Sequence, residues 1–353
     1  MSGIPSAQGL SAQDLSVQGL SVRGLSVDYG SHRVLDDVSL RAEPGEIVGV
    51  IGETGSGKTT LARAIVGLVP ATSGQVQVGE VEVTGLSGRA RRSHRRSGAV
   101  HYVFQDPLRS LDPDLTVGEI VREPLAVAGR FSRAEQQDRV IGALHRVGLP
   151  AELADRVPAE ISGGQRQRVS IARAVVGEPK LLICDEPVSA LDASNRNHVL
   201  RLIDELRRDL SMAILLISHD LSSLAGIADR VVVLYRGRVV EEGPIAQVFT
   251  QPQHPYTALL IASAPSVRRE HRLLPAQLRT AIPAPARPAA ACVFADRCRF
   301  ADAACDIQPA LQPPFHPAPQ PAIEPVTAVR SVACHHPAWR ENLTAETLSG
   351  RAS

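Results

Sequence analysis

The sequence predicts an α/β fold, and three observations carry that expectation. A run of apolar residues from Ile47 to Ile51 feeds a glycine-rich turn and then an apolar helix, Thr59 to Leu68. Two further apolar runs, Leu181 to Cys184 and Ala213 to Ile217, read as buried strands of the kind found in parallel sheets. Between Pro107 and Val176 the pattern is mostly helical, with Glu135 to Val147 the clearest amphipathic stretch, so a helical insertion interrupts the α/β order.

Length and composition bound what surrounds this core. At 353 residues the chain exceeds what one hydrophobic core usually serves, which predicts one large domain plus an appendage. With 44% hydrophobic and 21% charged residues and a formal net charge of +1, it reads as a soluble globular protein with no electrostatic case for a nucleic-acid partner. The longest apolar candidates, Met212 to Ile217 and Val231 to Tyr235, fall well short of the roughly 20 residues of a spanning helix. Nothing at the start resembles a secretory signal, so the five cysteines are expected to be ligands or buried thiols in a reducing, cytoplasmic compartment. Only Lys58 and Lys180 are lysines, leaving 36 of the 38 basic residues as arginine, so each lysine merits inspection.

Along the chain, a pentad repeat runs from Ser6 to Gly30 with a period that suits neither helix nor strand, and residues 1–19 are expected to be disordered. From about Leu20 the alternation of Val22, Leu25 and Val27, followed by Val34 to Leu40, predicts paired strands opening a domain that spans 20–250. Its helical part covers about 107–176. Fifteen of the 26 prolines follow Thr250, and Pro283 to Pro288 forms an Ala/Pro spacer, so 251–353 is set apart as a cysteine-bearing extension. Arg89 to Arg96 holds five arginines, but no aromatic is interleaved for base stacking, so it reads as a solvated linker.

The chemistry begins at Gly52-Glu53-Thr54-Gly55-Ser56-Gly57-Lys58-Thr59, with Thr60 following. This matches the phosphate-binding loop G-x-x-x-x-G-K-S/T in its required place between strand and helix. Glycines let the backbone curl so that N–H groups face phosphate oxygens; Lys58 reaches the β/γ-phosphates and the Thr59 hydroxyl ligates Mg²⁺. The strand from Leu181 ends in two carboxylates, of which Asp185 would hold Mg²⁺ and Glu186 would polarise the attacking water. Ile161-Ser162-Gly163-Gly164-Gln165 precedes that strand by one helix, Ser189 to Asp192 follows it, and His219 ends the next strand.

This ordered set resembles the nucleotide-binding subunits of ATP-binding cassette (ABC) transporters over about Leu20 to Thr250. The resemblance implies a P-loop core with an antiparallel β subdomain and a helical subdomain, ATP and Mg²⁺ as ligands, and an ATPase. It implies that Tyr29 stacks on adenine, that Gln105 links the γ-phosphate and Mg²⁺ to the helical subdomain, and that Ser162, Gly163, Gly164 and Gln165 bind the ATP of an opposing subunit. Asp192 would shape the dimer contact, and His219 would grip the γ-phosphate. Ile161, Cys184 and Val188 depart from the usual leucine, aliphatic residue and threonine without removing a catalytic group.

Two longer runs, Val103 to Pro113 and Gln253 to Thr257, resemble the peptide and nickel importer subfamily. That resemblance implies a second ATPase subunit, identical or homologous, two permease subunits at the cytoplasmic face of the membrane and, indirectly, an extracytoplasmic solute-binding protein. The alternatives are an importer of nickel or another small solute, and a soluble ABC ATPase acting on ribosomes or DNA. In the tail, Cys292, Cys298, Cys305 and Cys334 are separated by 5, 6 and 28 residues. These gaps fit structural zinc poorly, while four thiolates can hold an iron–sulfur cluster; zinc and uncoordinated thiols stay the alternatives, with His335 or His336 as a substitute ligand. Similar cysteines in some oligopeptide-importer ATPases are associated with a 4Fe–4S cluster.

Overall fold

The computed structural model describes residues 19–106, 110–189, 191–264, 278, 287–313 and 330–342. The early pentad copies, Pro107 to Arg109 of the long motif, Ala190, Pro283 and Pro285 of the spacer and the prolines of 314–329 lie outside these residues.

Strands β1 (Leu20–Tyr29) and β2 (His32–Ala42) form an antiparallel hairpin, closed at Gly30, whose φ of 60° suits a residue without a Cβ. Strand β3 (Ile47–Ile51) leads through the glycine-rich loop into helix α1 (Lys58–Ile65). The helix ends three residues earlier than the sequence predicts, because Gly67 turns the chain with a φ of 67°. Strands β4 (Ser73–Val78) and β5 (Val81–Glu82) complete a four-stranded sheet ordered β2-β1-β4-β5. The arginine-rich segment is a helix, α2 (Gly88–Ser97), with no buried residue.

After β6 (Val100–Val103) come α3 (Val117–Ala128), α4 (Arg133–Arg146) and α5 (Gly163–Val175). Each begins with a reciprocal cap, by Thr116 with Glu119, Ser132 with Glu135 and Ser162 with Gln165, which satisfies backbone N–H groups that the helix itself leaves unpaired. Then follow β7 (Leu181–Asp185), α6 (Ala193–Leu210), β8 (Ala213–Ile217), α7 (Leu221–Ala225), β9 (Arg230–Tyr235) and β10 (Arg238–Pro244). Beyond them lie α8 (Ile245–Thr250), α9 (Pro255–Ser263) and the two-residue β11 (Ser331–Val332). Strands β11, β10, β9, β3, β8, β7 and β6 form one sheet in that order, parallel from β9 through β6.

Alternation along these strands divides the interior in two. Val48, Val50, Leu181, Ile183, Leu215 and Leu234 pack under α1 and the antiparallel sheet. Ile47, Ile51, Leu182, Cys184, Leu216 and Val233 pack with the helices on the opposite face. Cys184 is fully buried there as a small apolar residue, its thiol pushed up to about 12 by burial.

The C-terminal extension joins this second core instead of building a separate one. Phe294 and Trp339 are both fully buried within it, and β11 pairs with the outer edge of β10. Arg330 forms an ion pair of 2.6 Å with Glu241, whose carboxylate is completely buried and also accepts the backbone N–H groups of Gln253 and His254. A charge so enclosed is tolerated because a cation answers it and both of its oxygens are hydrogen-bonded.

Candidate functional site

The carboxyl ends of β3, β7 and β8 open on one crevice, the place where α/β sheets present loops to ligands. At β3 the chain passes so close to β9 that a Cβ on Gly52 would sit 2.1 Å from the carbonyl oxygen of Leu234. Gly57, with a φ of 107°, caps α1, and a Cβ there would meet Leu35 at 2.7 Å. Only glycine meets both conditions. Thr54 and Gly55 are exposed at the tip, Ser56 is buried beneath them, and Thr60 lies in the first turn of α1.

Lys58 is buried, and its ammonium donates to the carbonyl oxygens of Gly52 at 2.8 Å and Glu53 at 3.0 Å. Burial lowers its pKa, an effect opposed by the nearby carboxylates of Glu186, Asp185 and Glu53. The next hydroxyl, on Thr59, donates to Asp185 Oδ2 at 3.3 Å. Tyr102 donates to that same oxygen at 2.6 Å, and burial followed by this bond raises the phenol pKa.

Glu186 follows β7 with a φ of 50°, a conformation that side chains other than glycine adopt at a cost of order 1–3 kcal/mol and that clusters at functional sites. Its N–H donates to the carbonyl of Ile217 at 2.9 Å, which ties the turn to β8. Both carboxylate oxygens are engaged. Gln105 Nε2 donates to one at 2.7 Å, and His219 Nδ1 lies 2.8 Å from the other. Lys58, Thr59, Gln105, Asp185, Glu186 and His219 are thus brought together, with Tyr102 added to the set that the sequence singled out.

Ser162 to Gln165 form a second locus at the start of α5. Ser162 accepts the Gln165 N–H at 3.2 Å while its own N–H donates to the Gln165 side chain at 2.8 Å. A Cβ on Gly164 would come within 3.0 Å of Asn195 Oδ1, and Asn195 in turn donates twice to Asp192, at 3.0 and 2.8 Å. The glycine pair and Asp192 therefore share one patch. Tyr29 ends β1 with its ring half-exposed.

Two tail residues reach the phosphate loop: Tyr256, from the Gln253 to Thr257 run, and Arg297, which the sequence did not single out. Arg297 forms two bonds to Glu53, at 2.9 and 3.1 Å, which raise the arginine's pKa further. The Tyr256 hydroxyl accepts the Glu53 N–H at 2.8 Å. Tyr256 stands just inside α9, which is capped by the His254 side chain, so Gln253 to Thr257 is at once a helix entry and a contact to the loop.

Cys292, Cys298, Cys305 and Cys334 line one small cavity with His254, Phe294 and His336. Burial raises the pKa of all four thiols, to about 12 for Cys298 and Cys334. Asp302, Cys305 and His336 offer three ligand atoms that lie within 4.8 Å of one another. Four thiolates on one tetrahedral zinc would stand about 3.8 Å apart, from Zn–S bonds of about 2.3 Å.

The ABC transporter family profile matches residues 35–189, and the profile of the oligopeptide/dipeptide transporter C-terminal region matches residues 240–305. A putative peptide import ATP-binding protein of Brucella ovis is 44% identical over 273 residues, 77% of this chain and 86% of that protein. The oligopeptide transport ATP-binding protein OppF of Salmonella typhimurium is 42% identical over 80% of this chain and 85% of its own length. Among solved structures, cbiO1 from Clostridium perfringens has a TM-score of 0.60 at 30% identity, covering 66% of this chain and 90% of that one. The ATP-binding cassette MJ0796 bound to ADP and Pi has a TM-score of 0.57 at 28% identity, covering 64% and 98%.

The chain belongs to the ABC transporter family, and its activity is ATP hydrolysis coupled to transport. Within that family it falls among the ATP-binding proteins that carry the oligopeptide/dipeptide C-terminal region. No described helix is long and apolar enough to cross a membrane.

Proposed function

We propose that this chain is the ATP-hydrolysing subunit of a peptide importer, working as a dimer with an identical or homologous subunit on two permease subunits at the cytoplasmic face of the membrane. The observation that carries it is the union in one chain of the Gln105–Glu186–His219 cluster with the oligopeptide/dipeptide C-terminal region. Residues 52–60 cradle the triphosphate, with Lys58 against its outer phosphates. Thr59, Gln105 and Asp185 fit Mg²⁺, since they offer hard oxygen ligands and the first and last are already in contact; the ion would neutralise phosphate charge. Glu186 acts as the general base, His219 steadies the γ-phosphate, Tyr29 stacks on adenine, and Ser162 to Gln165 with Asp192 complete the partner's site. The test is purification from membranes. Co-isolation with two permeases, and ATPase activity stimulated by a peptide-loaded solute-binding protein, is the expected result; recovery with ribosomes, or stimulation by nickel instead of peptide, would overturn it.

A 4Fe–4S cluster held by Cys292, Cys298, Cys305 and Cys334 is our reading of the tail, because all four thiols line one cavity and four thiolates can hold such a cluster. Its contribution is to cross-link a proline-rich tail. Anaerobically purified protein should be brown, absorbing near about 400 nm, and Cys298→Ser should bleach it. The Asp302, Cys305 and His336 trio favours a second reading, a single zinc ion. Colourless protein with one zinc per chain would establish that reading in place of the cluster.

A further inference from the structure

An acidic side chain in a loop built to hold an anion is electrostatically out of place. Glu53 is the second residue of the phosphate loop, and its carboxylate would repel a bound triphosphate unless a cation answered it. The cation that answers comes from 244 residues away, as Arg297 grips both carboxylate oxygens. This two-pronged geometry is the strong form of the arginine–carboxylate pair.

The remaining polar groups of Glu53 are committed as well. Its N–H donates to Tyr256, and its carbonyl accepts both the Lys58 ammonium and the Ser56 N–H. Two of these attachments come from beyond Thr250, and a third is the phosphate-binding lysine. Arg297 is itself held: its N–H donates to the Phe294 carbonyl, one guanidinium nitrogen donates to Tyr235 at 3.3 Å, and the cation stands 5.7 Å from the ring of fully buried Phe294. Cys298 is the next residue, so whatever fills the cysteine cavity shares a backbone with the side chain holding the loop.

We propose that Arg297 is a positioning residue for ATP: through Glu53 it neutralises and holds the phosphate loop, so the docked tail sets nucleotide affinity. The inference rests on residues 52–60 being the ATP loop. It predicts an unusual sign. Removing Arg297 alone leaves a bare carboxylate facing the triphosphate, and removing the Glu53 charge as well should restore part of what was lost.

The test uses the full chain and a fluorescent ATP analogue with Mg²⁺. Arg297→Gln should raise Kd and KM about three- to tenfold with kcat nearly unchanged, the scale of a partly exposed two-pronged pair. Arg297→Lys should fall between, and the Arg297→Gln, Glu53→Gln double variant should bind more tightly than Arg297→Gln. Arg236→Gln is the control, since Arg236 also ties the tail, at Asp296 and the Val293 carbonyl, without touching the loop. It should leave Kd unmoved. Emission from Trp339, the single tryptophan, reports whether the tail stays docked. Unchanged affinity in Arg297→Gln, a double variant no better than the single, or an equal loss in Arg236→Gln would overturn the proposal. Lys58→Ala in the same assay separates the two levels: if it binds ATP normally, the loop assignment has failed instead.

Discussion

His219 and Glu186 meet at 2.8 Å, Nδ1 to Oε1, while Gln105 holds the other carboxylate oxygen at 2.7 Å. A carboxylate satisfied on both oxygens is poorly placed to take a proton from water. If Glu186 is the base, as proposed, release of the Gln105 or the His219 contact would free an oxygen for water, and movement of the Gln105 segment would be one way to release it. The exposure of His219, against a largely covered Glu186, marks the imidazole side as the one open to a ligand.

Lys58→Ala should weaken ATP binding by at least about thirtyfold, the scale of losing a buried charge-assisted contact. The fold should survive, because the ammonium's protein partners are two loop carbonyls that water can satisfy. Titration calorimetry beside a circular dichroism melt checks both statements.

Tyr102→Phe removes the 2.6 Å bond to Asp185 and leaves the ring tilted against Phe104, 4.6 Å between centroids. Outer partners of metal ligands typically matter by about ten- to a hundredfold in metal affinity, so the Mg²⁺ concentration for half-maximal ATPase should rise by that order. An unchanged Mg²⁺ titration would remove Tyr102 from the site.

Arg330→Gln strands the buried Glu241 carboxylate, and breaking such a pair costs about 3–5 kcal/mol. The tail should loosen, with a red shift of Trp339 emission at lower denaturant than in the wild type.

His101 sits on β6 with a buried Nε2 that has no hydrogen-bond partner, and burial, aided by Arg173, lowers its pKa to about 4. The unfolded chain, titrating near 6.5, binds that proton more tightly. Stability is therefore complete above pH 6.5 and declines as pH falls towards 4, by about 1.4 kcal/mol at pH 5.5. Thermal melts of His101→Gln across this window should show a shallower decline than the wild type.

What could be read from the sequence was whatever is written in consecutive residues. The phosphate loop, the Asp185–Glu186 strand end and the serine-capped start of α5 each carry chemistry in a short run flanked by a recognisable strand or helix. Tyr102 and Arg297 were invisible for the complementary reason, and nothing in the Gln253 to Thr257 run announced that the Tyr256 hydroxyl meets Glu53. Tyr102 reaches Asp185 only because β6 lies beside β7 in a register that pairs it with Ile183, and no local pattern announces that register. Arg297 and Glu53 are paired by a tail that docks through Phe294, Trp339 and the Arg330–Glu241 pair. The available signals were an unexplained acid in an anion loop and an arginine directly before Cys298. The proline-rich composition pointed to an extension with little core of its own, whereas its few large side chains are inserted into the core of the body.

Glu186→Gln isolates the role proposed for Glu186, since the amide keeps the size and the Gln105 and His219 neighbours but removes the base. Single-turnover hydrolysis of ATP should fall by about 10²- to 10⁴-fold while ATP remains bound and stabilises a dimer in size-exclusion chromatography. Hydrolysis retained near the wild-type rate would contradict the account and move the base to another residue.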